Sequence, residues 1–161
     1  MINEELIQIA LSQYGIQEWA GEDHNPEVLK YFDEIGQQWV DDDETAWCSA
    51  YVNWVAMKAM CERSNKLDAR SWLDIGIDYY IPNSIDPVES TPFPAMGDIL
   101  IFWREKKSSW KGHVGFYINK DDTYYYVLGG NQNNRVCIKK YPKSRLLGIR
   151  RLRKITDMVN E

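Results

Sequence analysis

The feature that most constrains the fold is a change of periodicity at a proline-rich stretch, residues 80–97. Before it, apolar residues recur three or four positions apart, as in amphipathic helices. After it come short runs rich in β-branched and aromatic residues, separated by turn residues, which is typical of strands. Helices followed by a meander of strands predict an α+β domain, with N-terminal helices packed on a C-terminal antiparallel sheet of about five strands.

The predicted elements have recognisable ends. Two helices begin at asparagine caps and stop at glycines, over residues 3–15 and 25–36. A third helix is predicted from Cys48 to about residue 62, and a shorter one over 69–75. The predicted strands are 98–103, 113–118, 123–128, 135–141 and 146–152.

Size and charge limit the domain count and the partners. The 161 residues suit one domain, 1–161, without internal repeats. The net charge of −5 argues against nucleic acid or an anionic membrane surface as the main partner. The one basic cluster, residues 145–154, is interpreted as a solvated edge or face. Since no apolar run approaches the length of a membrane span, membrane insertion is not expected.

The cysteines, the histidines and the N-terminal residues bear on three further features: disulfide bonds, metal sites and a secretion signal. The three cysteines are an odd number without a CxxC motif, and the two histidines are not clustered. Neither a disulfide framework nor a metal site is therefore predicted. The N-terminus carries acidic residues where a secretion signal needs basic ones, so no signal peptide is predicted.

Cys48 stands at the start of the third predicted helix, in "DETAWCSAYVNWV". Helical spacing puts it on an apolar stripe, and a buried cysteine there is an ordinary core residue. A helix N-terminus, however, favours the reactive thiolate, because unpaired N–H groups and the helix dipole point at it. Cys61 and Cys137 have no such setting.

A nucleophilic cysteine needs a base, and His113 opens the strand "HVGFYI". Strand alternation puts His113, Gly115 and Tyr117 on one face. Gly115 would let the helix of Cys48 approach that face closely, although a solvent-exposed histidine at a strand end is the alternative. His24 precedes a proline-started helix, where a capping or turn role is favoured over catalysis.

A catalytic histidine also needs a partner that fixes its tautomer. The next strand ends in "LGGNQNN", so an amide oxygen of Asn131 could accept the ring N–H. Gln132 and Asn133 are competing candidates, and an ordinary Gly-Asn turn is the alternative to any of them.

This order of residues resembles the papain-like cell-wall hydrolases: the cysteine/histidine-dependent amidohydrolase/peptidase (CHAP) group and the NlpC-type peptidases. Within that group it is similar to a small family of stand-alone bacterial and phage peptidoglycan hydrolases. The matching motifs run in order over nearly the whole chain: "GEDHNPEVLKYF", "DETAWCSAYVNWV", "ARSWLDIG", "GDILIFW", "WKGHVGFY", "VLGGNQNNRV" and "YPKSRLLGIR".

The resemblance implies a papain-like fold with Cys48 as nucleophile, His113 as general base and then acid, and Asn131 as the orienting residue. The expected reaction is hydrolysis of an amide bond in peptidoglycan stem peptides, by an endopeptidase or an N-acetylmuramoyl-L-alanine amidase, without cofactor or metal. The residues expected to contact substrate are Trp47, Trp110, Tyr117 and Gln132, with core packing as the alternative for the aromatic ones.

Peptidoglycan is the expected partner, together with an immunity or delivery protein. We expect a protein made in the cytoplasm that acts at the periplasm or cell wall after delivery. Two other functions stay open at this point. One is a papain-like amidase, deamidase or transglutaminase acting on a protein, and the other is a non-catalytic module that binds the cell wall.

Overall fold

The structure, a computed structural model, describes residues 3–41, 46–79 and 94–159. The helices are α1 (Glu4–Ser12), α2 (Pro26–Asp33), α3 (Cys48–Lys58) and α4 (Ile155–Met158), with 3₁₀ turns at Ala69–Asp74 and Lys143–Arg145. The strands are β1 (Ile77–Asp78), β2 (Ile99–Trp103), β3 (Gly112–Lys120), β4 (Tyr124–Gln132), β5 (Arg135–Pro142) and β6 (Leu146–Arg151). Most of the predicted connector, residues 80–93, and the acidic residues 42–45 before Cys48 lie outside the described residues.

The strands form one antiparallel sheet in the order β1-β6-β2-β3-β4-β5. The α+β prediction is therefore confirmed, with five strands close to the predicted positions. The additional strand, β1, has only two residues and pairs with β6, which is too short to leave a periodic signal in the sequence.

The helix ends follow from local hydrogen bonds. Asn3 and Asn25 cap α1 and α2 as predicted, because each side-chain oxygen accepts a backbone N–H of the first turn. Helix α3 ends at Lys58 instead of residue 62. There Met60 adopts a φ of 56°, and the Cys61 N–H donates to the Ala56 carbonyl oxygen. A residue in this left-handed conformation at a helix end is usually glycine. Because methionine occupies the position here, the end of α3 has no signal in the sequence.

The helices pack on one face of the sheet. Val114 and Phe116 of β3 belong to the core under the helices, and the Tyr51 ring of α3 meets Phe116 edge-on. Tyr117 belongs to a separate apolar cluster with residues such as Phe102. Strand alternation in β3 is therefore confirmed, but α3 covers the Val114 face and not the face of His113.

The glycine that allows α3 to approach the sheet closely is Gly130 and not Gly115. A Cβ built on Gly130 would lie 2.7 Å from the Trp47 ring and 2.8 Å from the Tyr51 Cβ, whereas one on Gly115 would meet Val127 of the neighbouring strand at 2.4 Å. The expectation for Gly115 was wrong because a strand glycine can make room for a neighbouring strand as well as for a helix. The close approach at Gly130 puts the start of α3 against the end of β4.

Candidate active site

Cys48 is the first residue of α3. Burial is the largest influence on its thiol and raises its pKa, whereas the nearby backbone N–H groups of Val114, Ser49 and Cys48 itself act in the opposite direction. Since Val114 directly follows His113, the start of α3 meets the start of the strand that carries the histidine.

The ring of His113 is held by a buried glutamine. His113 Nε2 lies 2.8 Å from the Gln132 side-chain oxygen. The Gln132 amide nitrogen donates to the carbonyl oxygens of Val127, at 3.0 Å, and Cys137, at 2.6 Å. Because both amide hydrogens are used in this way, the oxygen must face the ring, and Nε2 must carry the hydrogen. In the neutral imidazole, Nδ1 is therefore the nitrogen that is free to accept a proton.

Tyr141 completes this arrangement from the last residues of β5. Its ring stacks on His113, with centroids 4.8 Å apart, and on Phe102, with centroids 4.9 Å apart. Its hydroxyl donates to the Gln132 side-chain oxygen at 3.2 Å. Burial is the main cause that raises the pKa of Tyr141, so the phenol stays a donor at neutral pH. The pattern in the sequence did not indicate Tyr141.

Gln132, and not the predicted orienting residue Asn131, is the residue whose side chain contacts the His113 ring. Asn131 has a φ of 54°, and the pairing of β4 with β5 is irregular between Gly129 and Gln132. Such an irregularity shifts which of two adjacent side chains faces a given side. It turns Gln132 toward His113, whereas Asn131 lines the neighbouring cleft. Gln132, expected to contact substrate, is 1% exposed and has its polar groups occupied within the protein.

The three aromatic residues expected to contact substrate have different surroundings. Trp47 is fully buried, stacks on Tyr31 and donates its indole N–H to Glu18 at 2.6 Å. Tyr117 is nearly buried and packs edge-on against Tyr125. Both therefore occupy the interior, as the core alternative predicted. Trp110 is 73% exposed in the connection between β2 and β3, and substrate contact by it stays a prediction.

A cleft of about 230 Å³ opens beside the histidine. Its lining includes His113, Asn131 and Tyr141 together with three cations, Arg104, Lys139 and Arg145. A larger hollow of about 550 Å³ lies between α1 and the end of β6 and contains none of the predicted site residues. The smaller cleft is therefore the one of these two hollows that adjoins the histidine.

Burial controls the protonation of His113, which is 4% exposed. Burial is the main cause that lowers the pKa of His113 to about 4; the cations Arg104 and Lys139 add to it, and the Gln132 hydrogen bond opposes it. In the folded protein this imidazole is thus neutral at neutral pH, which is the form a general base needs.

The lowered pKa predicts a specific loss of stability in acid. Between the ordinary pKa of 6.5 and the folded value of about 4, the unfolded chain binds more protons at this residue. Stability that is present above pH 6.5 is therefore lost as the pH falls toward 4, by about 3 kcal/mol at 1.36 kcal/mol per pKa unit. Urea unfolding of wild type and His113→Gln at pH 7.5 and 4.5 measures it. We expect wild type to lose more stability than the variant, and an equal loss in both would contradict the prediction.

Within the described ranges, no three His, Cys, Asp or Glu side chains come together in a way that could hold a metal ion. None of the described helices is long and apolar enough to cross a membrane.

Comparison with known families identifies one matching family model. The family model of the CHAP domain matches residues 40–131, more than half of the chain. The matched range contains Cys48, His113 and Asn131 and ends one residue before Gln132. No curated protein matches the chain.

Proposed function

Because the chain belongs to the CHAP domain family, we propose that it is a cysteine-dependent enzyme that hydrolyses an amide bond in the stem peptides of peptidoglycan. The family indicates peptidoglycan hydrolase or amidase activity in general. The cysteine mechanism is our proposal. The observation that carries it is the buried His113 ring, fixed by Gln132 in one tautomer. The next residue of the same strand, Val114, has a backbone N–H near enough to the Cys48 sulfur to favour its thiolate.

In the proposed mechanism, His113 acts first as a base. The thiol and the imidazole are both neutral before substrate binds, because burial raises the pKa of Cys48 and lowers that of His113. As the sulfur attacks the scissile carbonyl carbon, its proton passes to Nδ1 of His113. The hydrogen bond from Nε2–H to Gln132 keeps the ring oriented during this transfer.

The charge that develops on the carbonyl oxygen needs donors. The N–H of Cys48 lies at the N-terminus of α3, where backbone amides have no helical partner, so it can donate to the oxyanion. The imidazolium then protonates the leaving amine, and the C–N bond breaks to give an acyl-enzyme on Cys48. Water, deprotonated by His113, releases the carboxylate product and restores the thiol.

The proposal predicts a defined chemical product. Purified sacculi are incubated with wild type and with Cys48→Ala, and the released muropeptides are identified by mass spectrometry. We expect wild type alone to release fragments that carry one new amine and one new carboxylate at the same stem-peptide bond. Circular dichroism of the variant is the control for folding. Equal release by both proteins, or intact sacculi with wild type, would contradict the proposal, and sacculi that are bound but intact would indicate a binding module.

A further inference from the structure

The cleft beside His113 is strongly cationic. Arg104 follows the end of β2, Lys139 lies in β5, and Arg145 lies in the 3₁₀ turn before β6, yet all three line the same cleft. Its lining contains no aspartate or glutamate. The whole chain has a net charge of −5, so three cations from separate elements at one cleft are a local reversal of the protein's charge. Arg145, part of the basic cluster interpreted as a solvated face, is exposed and lines this cleft.

These cations lack the carboxylate partners that neighbouring arginines have. Arg151 pairs with Asp98, and Arg153 pairs with Glu62. In the part of the chain that the structure describes, no ion pair involves the three cations of the cleft. The Arg145 guanidinium lies over the Trp103 ring at 4.9 Å, and the Lys139 ammonium lies 5.8 Å from the centroid of the Tyr141 ring. Aromatic faces can orient a cation without neutralising it.

The cations of the cleft also influence the pKa values of Cys48 and His113, the two residues of the proposed mechanism. Burial raises the pKa of Cys48, and Arg104 partly opposes this; burial lowers the pKa of His113, and Arg104 and Lys139 lower it further. Such effects require proximity, since charge interactions fall off with distance and are screened by salt. An anion held in the cleft would oppose this effect and favour the imidazolium that the proposed mechanism needs for protonating the leaving amine.

We propose that Arg104, Lys139 and Arg145 form a carboxylate subsite, so that the enzyme recognises a stem peptide with a free carboxylate near the scissile amide. The proposal rests on the proposed function. A stem peptide carries free carboxylates, its C-terminus among them, and each can be replaced by a carboxamide in a synthetic peptide. A guanidinium can bind a carboxylate through two parallel hydrogen bonds. A carboxamide has no net charge and directs its N–H donors at the same cations, so the subsite discriminates against it.

The test uses pairs of synthetic stem peptides that differ only in one carboxylate or carboxamide, for each carboxylate in turn. Calorimetry measures their binding to the Cys48→Ala protein, which cannot turn them over on the proposed mechanism. We expect at least one free acid to bind about tenfold more tightly than its amide, the effect of one charge-assisted hydrogen bond. The ratio of the affinity for the acid to the affinity for its amide should fall toward one when Arg104→Gln or Arg145→Gln is added. The same ratio should decrease as the salt concentration is raised.

Lys140→Gln is the matched control, because Lys140 neighbours Lys139 but its ammonium lies over the Tyr124 ring, at 4.5 Å. It removes the same charge and should keep the preference. Equal affinity within every pair, or a preference that survives the arginine and Lys139→Gln substitutions, would overturn the subsite. Cleavage of these peptides by wild type is measured separately. Cleavage without a preference refutes the subsite alone, whereas a cation-dependent preference without cleavage supports the subsite and refutes the proposed function.

Discussion

Replacement of Cys48 by alanine is expected to lower kcat/KM on a defined muropeptide by at least about 10⁴-fold, the size of effect seen when a covalent nucleophile is removed. The sulfur would be the atom that attacks the carbonyl, and no other described thiol adjoins the His113 strand in the same way. The side chain is small, so the fold should survive its loss. Initial rates of muropeptide cleavage, followed by chromatography, give the measurement.

His113→Ala should cause a loss of similar size, and the double variant should be no worse than either single one, because the two residues act as a unit. Cys61→Ala is the matched control. Cys61 is also a buried free cysteine, but it contacts Asn3 near the start of α1. It should cost stability while the activity of each folded molecule stays within about threefold of wild type, since its sulfur is outside the proposed mechanism. Comparable losses for Cys48→Ala and Cys61→Ala would contradict the assignment.

Gln132→Leu is expected to lower kcat by about 10²–10⁴-fold, as observed where the residue that fixes a catalytic histidine is removed. The leucine cannot accept the Nε2 hydrogen, so the ring loses the contact that selects its tautomer. The same change leaves the Val127 and Cys137 carbonyl oxygens without their amide donor. With about 1–3 kcal/mol for each of these two buried polar groups left unpaired, the free energy of unfolding should fall by about 2–6 kcal/mol.

The Asn131→Gly variant tests whether the loss expected for Gln132→Leu comes from the orientation of His113 or from any change near the β4–β5 turn. Glycine accepts the left-handed φ of 54° while it removes the neighbouring amide. We expect a loss in kcat of less than about tenfold, because another residue holds the histidine. Unfolding in urea, measured alongside the kinetics, tells misfolding from lost orientation. A larger loss for Asn131→Gly than for Gln132→Leu would return the orienting role to Asn131.

Much of the fold could be predicted because its signals are local. The caps at Asn3 and Asn25 are made within one helical turn, and strand periodicity needs only a few residues. The strand that pairs over two residues and the helix stop at Met60 have no such local signal. Both depend on contacts or a backbone angle that residue type alone does not reveal.

Part of the candidate site could be predicted from the order of its residues and of the secondary-structure elements along the chain. Cys48 at a helix start and His113 at a strand start were found in this way. The partner of the histidine was not, because one irregular residue pair in the β4–β5 hairpin decides whether Asn131 or Gln132 faces the ring. Tyr141 was missed for a related reason: its position against His113 depends on the register of several strands, which sequence periodicity leaves open.

Detection of a covalent intermediate on Cys48 tests the central claim most directly. Wild type is mixed with a defined muropeptide and quenched in acid at short times, and the digested protein is analysed by mass spectrometry. We predict that the peptide containing Cys48 gains the mass of the acyl fragment of the substrate, and that this species forms and decays at rates consistent with turnover. Continued turnover with no adduct on Cys48 at any time, and with undiminished activity in Cys48→Ala, would contradict the account.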